Sequence, residues 1–124
     1  RLRTAAEAVD RGDFARAVAI YEEMLIDAPH DPVLLRARAA VSVLVRVADM
    51  DRSRDPIQTA AADPTDIDAA LDASDALVML DQPVAAVELL TARLPHTRER
   101  VVELLALLDP GHPVRQQVVS ALYA

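Results

Sequence analysis

Three histidines, four serines and several closely spaced aspartates are the residues of this sequence whose types could carry chemistry. His30, His96 and His112 lie 66 and 16 positions apart. None has a second ligand at helical spacing, which a histidine-based zinc site needs, so they are expected to be solvated loop residues. Asp49 with Asp51, and Asp66 with Asp68, are carboxylate pairs of the sort used in general acid–base catalysis. Such a pair needs a pocket and shifted pKa values. Here the pairs fall at expected helix ends, where carboxylates cap the backbone or offset the helix dipole. Ser42, Ser53, Ser74 and Ser120 sit in no nucleophile elbow. The two glycines, Gly12 and Gly111, are isolated and cannot build a phosphate-binding loop. Without cysteine there is no thiolate nucleophile, disulfide or thiolate metal site. The residues thus predict no catalytic, cofactor-binding or metal site, and no enzyme in this chain by itself.

The elements that would position any other kind of site are helices. At 124 residues the chain suits one domain, residues 1–124, and can bury roughly two-thirds of its unfolded surface. Hydrophobic residues make up 52 % of it, mostly Ala, Leu and Val, and aromatics only 2 %. Ala and Leu are strong helix formers, and glycine is too scarce to supply hairpin turns. The fold class is all-α. The net charge is −7, and all 13 basic residues are arginine. An acidic chain with no basic run repels phosphate backbones, so nucleic acid is not expected as a partner. No apolar run reaches the roughly 18 residues of a membrane helix, so no membrane partner is expected. The opening on Arg1, with no signal-peptide pattern, reads as part of a longer protein.

Eight prolines punctuate the chain. Asp31-Pro32, Asp55-Pro56, Gln82-Pro83 and His112-Pro113 read as helix starts, because proline fits the first helical position. Pro29, Pro64, Pro95 and Pro110 read as stops. Asp13 caps the helix after Gly12, Thr65 with Asp68 resembles a weakened capping box, and Thr97 is expected to cap the helix after Pro95. The resulting helices cover residues 2–11, 14–28, 32–49, 56–62, 66–80, 83–94, 97–108 and 113–123. In the second, Phe14, Ala17, Val18, Tyr21, Leu25 and Ala28 share one face. The third has only a narrow polar stripe of Arg38, Ser42 and Arg46, and is expected to be central.

The pattern repeats. Gly12-Asp13-Phe14, then Ala17, Tyr21 and Pro29, resembles the turn and second helix of a tetratricopeptide repeat. Pro29 and Pro64 are 35 positions apart, against a usual repeat of about 34. Asp81-Gln82-Pro83 followed by Ala86 restates the turn 69 positions after Gly12. Small Ala17 and Ala86 then mark close helix crossings. The middle repeat is degenerate, so three pairs plus a capping pair are expected. Antiparallel pairs of this type stack as a short right-handed superhelix.

With the Gly12–Pro29 repeat, two further segments carry a more specific resemblance. One is Asp66-Ile67-Asp68-Ala69-Ala70-Leu71-Asp72-Ala73-Ser74-Asp75. The other is the ending, with Arg98-Glu99-Arg100-Val101, Leu104-Leu105, Asp109-Pro110-Gly111-His112-Pro113-Val114 and Ala121-Leu122-Tyr123. Together they resemble the C-terminal tetratricopeptide-like domain of thioredoxin-like co-chaperones of the YbbN or CnoX type, particularly actinobacterial members. The resemblance implies a cytoplasmic protein-interaction module that binds unfolded clients or a chaperonin, with a thioredoxin-like domain upstream. A scaffold or homodimerisation domain, or the substrate-selecting part of a thioredoxin-type oxidoreductase, are the alternatives. Many tetratricopeptide domains hold a partner's terminal carboxylate with Lys and Asn. This chain has neither, and only Arg36 occupies one of the customary positions. From the repeat phase the concave face includes Leu2, Ala6, Val9, Arg36, Ala40, Leu44, Leu71 and Asp75. In the last helix Val114, Val118, Ala121 and Leu122 form an inward face toward Val101, Leu105 and Leu108. Val119 and Tyr123 are left as a second apolar edge. The candidate protein-binding residues are Arg36, Ala40, Leu44, Leu71, Asp75, Val119 and Tyr123.

Overall fold

The computed structural model describes residues 1–124 and contains eight α-helices and no strand. They are α1 (Leu2–Asp10), α2 (Phe14–Asp27), α3 (Pro32–Ala48), α4 (Pro56–Ala62), α5 (Ile67–Met79), α6 (Pro83–Thr91), α7 (Arg98–Leu105) and α8 (Pro113–Leu122). The all-α class follows directly. The chain divides into two compact units, Arg1–Asp49 and Met50–Ala124.

The proline-based boundaries hold because each start has a physical cap. Asp31 accepts from the amides of Val33 (2.9 Å) and Leu34 (3.4 Å), and Asp55 from those of Ile57 (3.1 Å) and Gln58 (3.3 Å). Asp13 accepts from Arg16 at 3.3 Å. The start of α5 differs from the expected capping box. Asp66 is its cap, accepting from Ala69 at 3.0 Å, while Thr65 donates its amide and hydroxyl to Asp63 at 3.0 and 2.7 Å. A carboxylate one residue nearer the helix outcompetes the threonine hydroxyl. Thr97 stands at the start of α7 but does not cap it. Its buried hydroxyl donates instead to the Leu90 carbonyl of α6 at 2.6 Å. Helices α6 and α7 end three residues earlier than expected, for one reason. Their last amides bond three residues back, Leu94 to Thr91 and Leu108 to Leu105, tightening the turn out of α-helical geometry.

In the first unit α2 packs against both α1 and α3. Ala5, Ala8, Ala17, Ile20, Tyr21, Leu25, Leu34 and Val41 form its core. Helix α3 is the last helix of this unit, and Val33 stands exposed at its start. In the second unit α5 packs on α4 and α6, and α6 packs on α7 and α8. Leu90, Leu104, Val87 and Val101 are its largest fully buried apolar side chains.

Two turns 69 positions apart share one geometry. After α1, Gly12 has φ +77°, with Asp13 bonding back to Ala8 and Gly12 to Val9. After α5, Asp81 has φ 60°, with Gln82 bonding back to Leu77 and Asp81 to Val78. Both are Schellman endings, which place one residue in the left-handed region and satisfy carbonyls that the helix leaves unpaired. Asp81 therefore occupies a position that favours glycine.

Two predictions follow from these packing and turn positions. Asp81→Gly should raise the denaturant midpoint, and Gly12→Ala should lower it by about 1 kcal/mol of stability. Nothing lies within 4 Å of a Cβ built on Gly12, so the loss there reads backbone strain and not a clash. Ala17 and Ala86 are fully buried. Ala17→Leu and Ala86→Leu should each destabilise by about 1–3 kcal/mol through overpacking, measured by chemical denaturation. An unchanged midpoint in both leucine variants would show that neither alanine marks a close crossing.

Candidate protein-binding surfaces

In the first unit Arg36, Ala40 and Leu44 follow one another at four-residue steps along α3. Arg36 and Ala40 are exposed and Leu44 is partly buried. Leu2 and Ala6 of α1 are exposed as well, with Val9 partly buried.

In the second unit the sequence candidates on α5 are not an open surface. Asp75 is 1 % exposed. Its Oδ2 accepts from Arg100 Nη1 of α7 at 3.1 Å, and the Arg100 side chain is itself largely shielded. The same guanidinium reaches the Leu71 carbonyl at 3.4 Å, which also accepts from the Ser74 hydroxyl at 2.7 Å. Asp75 is thus an internal tie between α5 and α7, not a residue that meets a partner. Leu71 beside it is partly buried. Repeat phase alone put Asp75 on a face. Arg100, 25 positions away in sequence, draws it inward.

The carboxylates around α5 behave as structural groups of differing character. Partial burial, then the neighbouring Asp75, pushes the Asp72 carboxyl above its ordinary pKa, against the opposing pull of Arg100. Asp51 is held below the ordinary value by the Ser53 hydroxyl and amide, and Asp63 by those of Thr65. Asp51, Asp66, Asp68 and Asp72 line a cleft of about 240 Å3 together with Met50, Arg54, Pro56, Thr59 and Ala69. His112, one of the loop histidines, accepts the Val114 amide on Nδ1 at 3.1 Å and so caps α8. No group of three or more His, Asp or Glu side chains is arranged to hold a metal ion.

The C-terminal helix carries an open apolar edge. Val118 and Leu122 face inward and are buried, as are Val101, Leu105 and Leu108. Val119 is 43 % and Tyr123 78 % exposed. Tyr123 therefore does not finish the core. The helix packs on α6 and is tied to α7 by two arginines. Arg115 donates to the carbonyls of Leu105 and Leu108, the latter at 3.2 Å, where α7 ends. Arg98, at the start of α7, donates to the Leu122 carbonyl at the end of α8. The Arg98 guanidinium also lies over the Tyr123 ring, 5.4 Å from its centroid. Nothing in the sequence pairs Arg98 or Arg115 with these carbonyls. Their alignment with the opposite helix depends on an antiparallel register that periodicity within one helix cannot reveal.

No helix is long and apolar enough to cross a membrane. No protein-family model, curated protein or solved structure matches the chain.

The Asp75–Arg100 pair generates a stability test. Arg100→Met should destabilise by about 3 kcal/mol, because it strips a buried carboxylate of its guanidinium. Replacing both partners, Asp75→Leu with Arg100→Met, should restore most of that loss, since an apolar pair of similar volume leaves no charge in the interior. Urea denaturation of the two variants measures this. Equal midpoints for Arg100→Met and the parent would show that the pair contributes nothing.

Proposed function

We propose that the chain is a protein-interaction module built of tetratricopeptide-type helical pairs, and that it serves a cytoplasmic thioredoxin-like co-chaperone or holdase. The pairs would stack as a right-handed superhelix. The observation that carries the interaction reading is the Val119–Tyr123 edge, an aliphatic and an aromatic side chain left exposed about one turn apart at the end of α8. An aromatic ring offers large contact area at little cost in side-chain entropy. An amphipathic apolar segment of an unfolded client, or of a chaperonin, is the occupant that such an edge suits. The repeat reading is supported by the matched turns at Gly12 and Asp81 and by the buried Ala17 and Ala86. The acidic charge and the absence of lysine weigh against nucleic acid. Arg36 and Ala40 on α3 are exposed and remain candidates for a second contact. Catalysis, cofactors and metals have no part in this role.

The test is the double variant Val119→Ser, Tyr123→Ser. Both side chains are exposed, so the thermal midpoint should stay close to the parent's, with a loss of about 1 kcal/mol at most. Binding to a chemically unfolded client and to purified chaperonin should fall together or singly, read by surface-immobilised titration. Retention of both affinities would remove the edge from the proposal. A changed sedimentation coefficient with unchanged client binding would assign the edge to self-association.

A further inference from the structure

We propose that His112 makes the start of α8 acid-sensitive: its neutral imidazole caps the helix, and protonation of the ring releases the cap. The inference does not depend on the binding reading. It starts from which atom accepts. The Val114 amide donates to His112 Nδ1 at 3.1 Å. Nδ1 can accept only while it carries no proton, so the proton of the neutral ring is on Nε2. A second proton goes onto Nδ1 itself and turns the acceptor into a donor facing an amide. The other side-chain caps are Asp13, Asp31, Asp55 and Asp66. A carboxyl group retains an accepting oxygen in either protonation state, whereas a charged imidazole has no accepting nitrogen. Helix α8 alone is capped by the side-chain type that ordinarily changes charge between about pH 5 and 8.

Two further features make the ring decisive. Pro113 has no N–H, so the Val114 amide is the first that the helix presents. The next amide, that of Arg115, donates to the His112 carbonyl at 3.0 Å. A protonated ring also sets a positive charge at the positive end of the helix dipole, which acts in the same direction as the lost acceptor. The charged side chains on the elements around this turn are Asp109 in the turn itself, Arg115 in the first turn of α8, Glu103 in the last turn of α7, and Glu88 of α6, which lines a cleft with Val114. The carboxylates favour a charged imidazole and cannot return the acceptor, so they ease release, while Arg115 opposes it. Arg115 is also the residue that holds the carbonyls of Leu105 and Leu108. Release of the cap therefore loosens the joint between α7 and α8 as pH falls.

The experiment compares the parent chain with His112→Asn and His112→Ala by nuclear magnetic resonance. Asparagine keeps a capping acceptor and does not titrate, and alanine has no acceptor. The first readout is the nitrogen shifts of the His112 ring, with the exposed His30 and His96 as references. They should place the proton of the neutral ring on Nε2. The second is the exchange protection of the Val114 amide, corrected for the intrinsic pH dependence of exchange. Between about pH 8 and pH 5 it should fall about fivefold in the parent, the usual worth of a helix cap. It should stay high in His112→Asn and low in His112→Ala at both pH values. A neutral ring protonated on Nδ1 overturns the proposal. So does parent protection that ignores pH, or a His112→Asn variant that loses protection on acidification as the parent does. If His112→Ala fails to fold, the contrast between the parent and His112→Asn decides.

Discussion

The second unit is organised around a carboxylate that has no access to water. Asp75 sits at 1 % exposure in the middle of α5, and Arg100 reaches it from α7. A charge in that position would be prohibitive without a partner, because desolvation of an ion costs several kcal/mol even after relaxation. The guanidinium must therefore be delivered at a fixed place, and this sets where α7 can lie. Thr97 reinforces the placement from the other side by donating to the Leu90 carbonyl of α6. The apolar core formed by Val87, Leu90, Val101 and Leu104 is compatible with several helix rotations. The ion pair and the threonine hydrogen bond select one. Burial drives the collapse, and these polar ties fix the register.

Much of the architecture was legible because proline and aspartate act locally. A proline at the first helical position, preceded by a carboxylate, marks a helix start whatever the rest of the chain does, and Asp31 and Asp55 behave accordingly. The matching positions of Gly12 and Asp81 could also be read from spacing, and both residues adopt a left-handed turn. What could not be read was any contact between distant helices. Asp75 looked like a surface residue because periodicity within α5 is silent on a guanidinium 25 positions further on. Thr97 has the residue type of a cap, but a buried carbonyl competes for its hydroxyl and wins. Around Asp66, two carboxylates and a threonine stand within four positions, so sequence alone could not decide which oxygen takes the free amide. The exposed state of Tyr123 was similarly undecidable from pattern, since an aromatic at a helix end is as consistent with a core plug as with a contact residue.

The candidate surface and the structural ties draw on the same residue type. Arginine supplies every basic side chain of the chain, and three of them are spent on backbone carbonyls between helices: Arg100 on Leu71, Arg115 on Leu105 and Leu108, and Arg98 on Leu122. A lysine could meet one such acceptor but would present no flat face to a ring. The absence of lysine is thus consistent with a molecule that uses its cations as rigid connectors.

Helices α7 and α8 are fastened to each other at both ends by these connectors. A helix terminus is ordinarily where hydrogen exchange begins, since the last turns fray independently of the middle. Here the end of α7 is held by Arg115 and the end of α8 by Arg98. Neither terminus can unwind without releasing a bond to the other helix. The pair should therefore open as a single cooperative foldon, so that its amides become labile together and not progressively from the chain end inward.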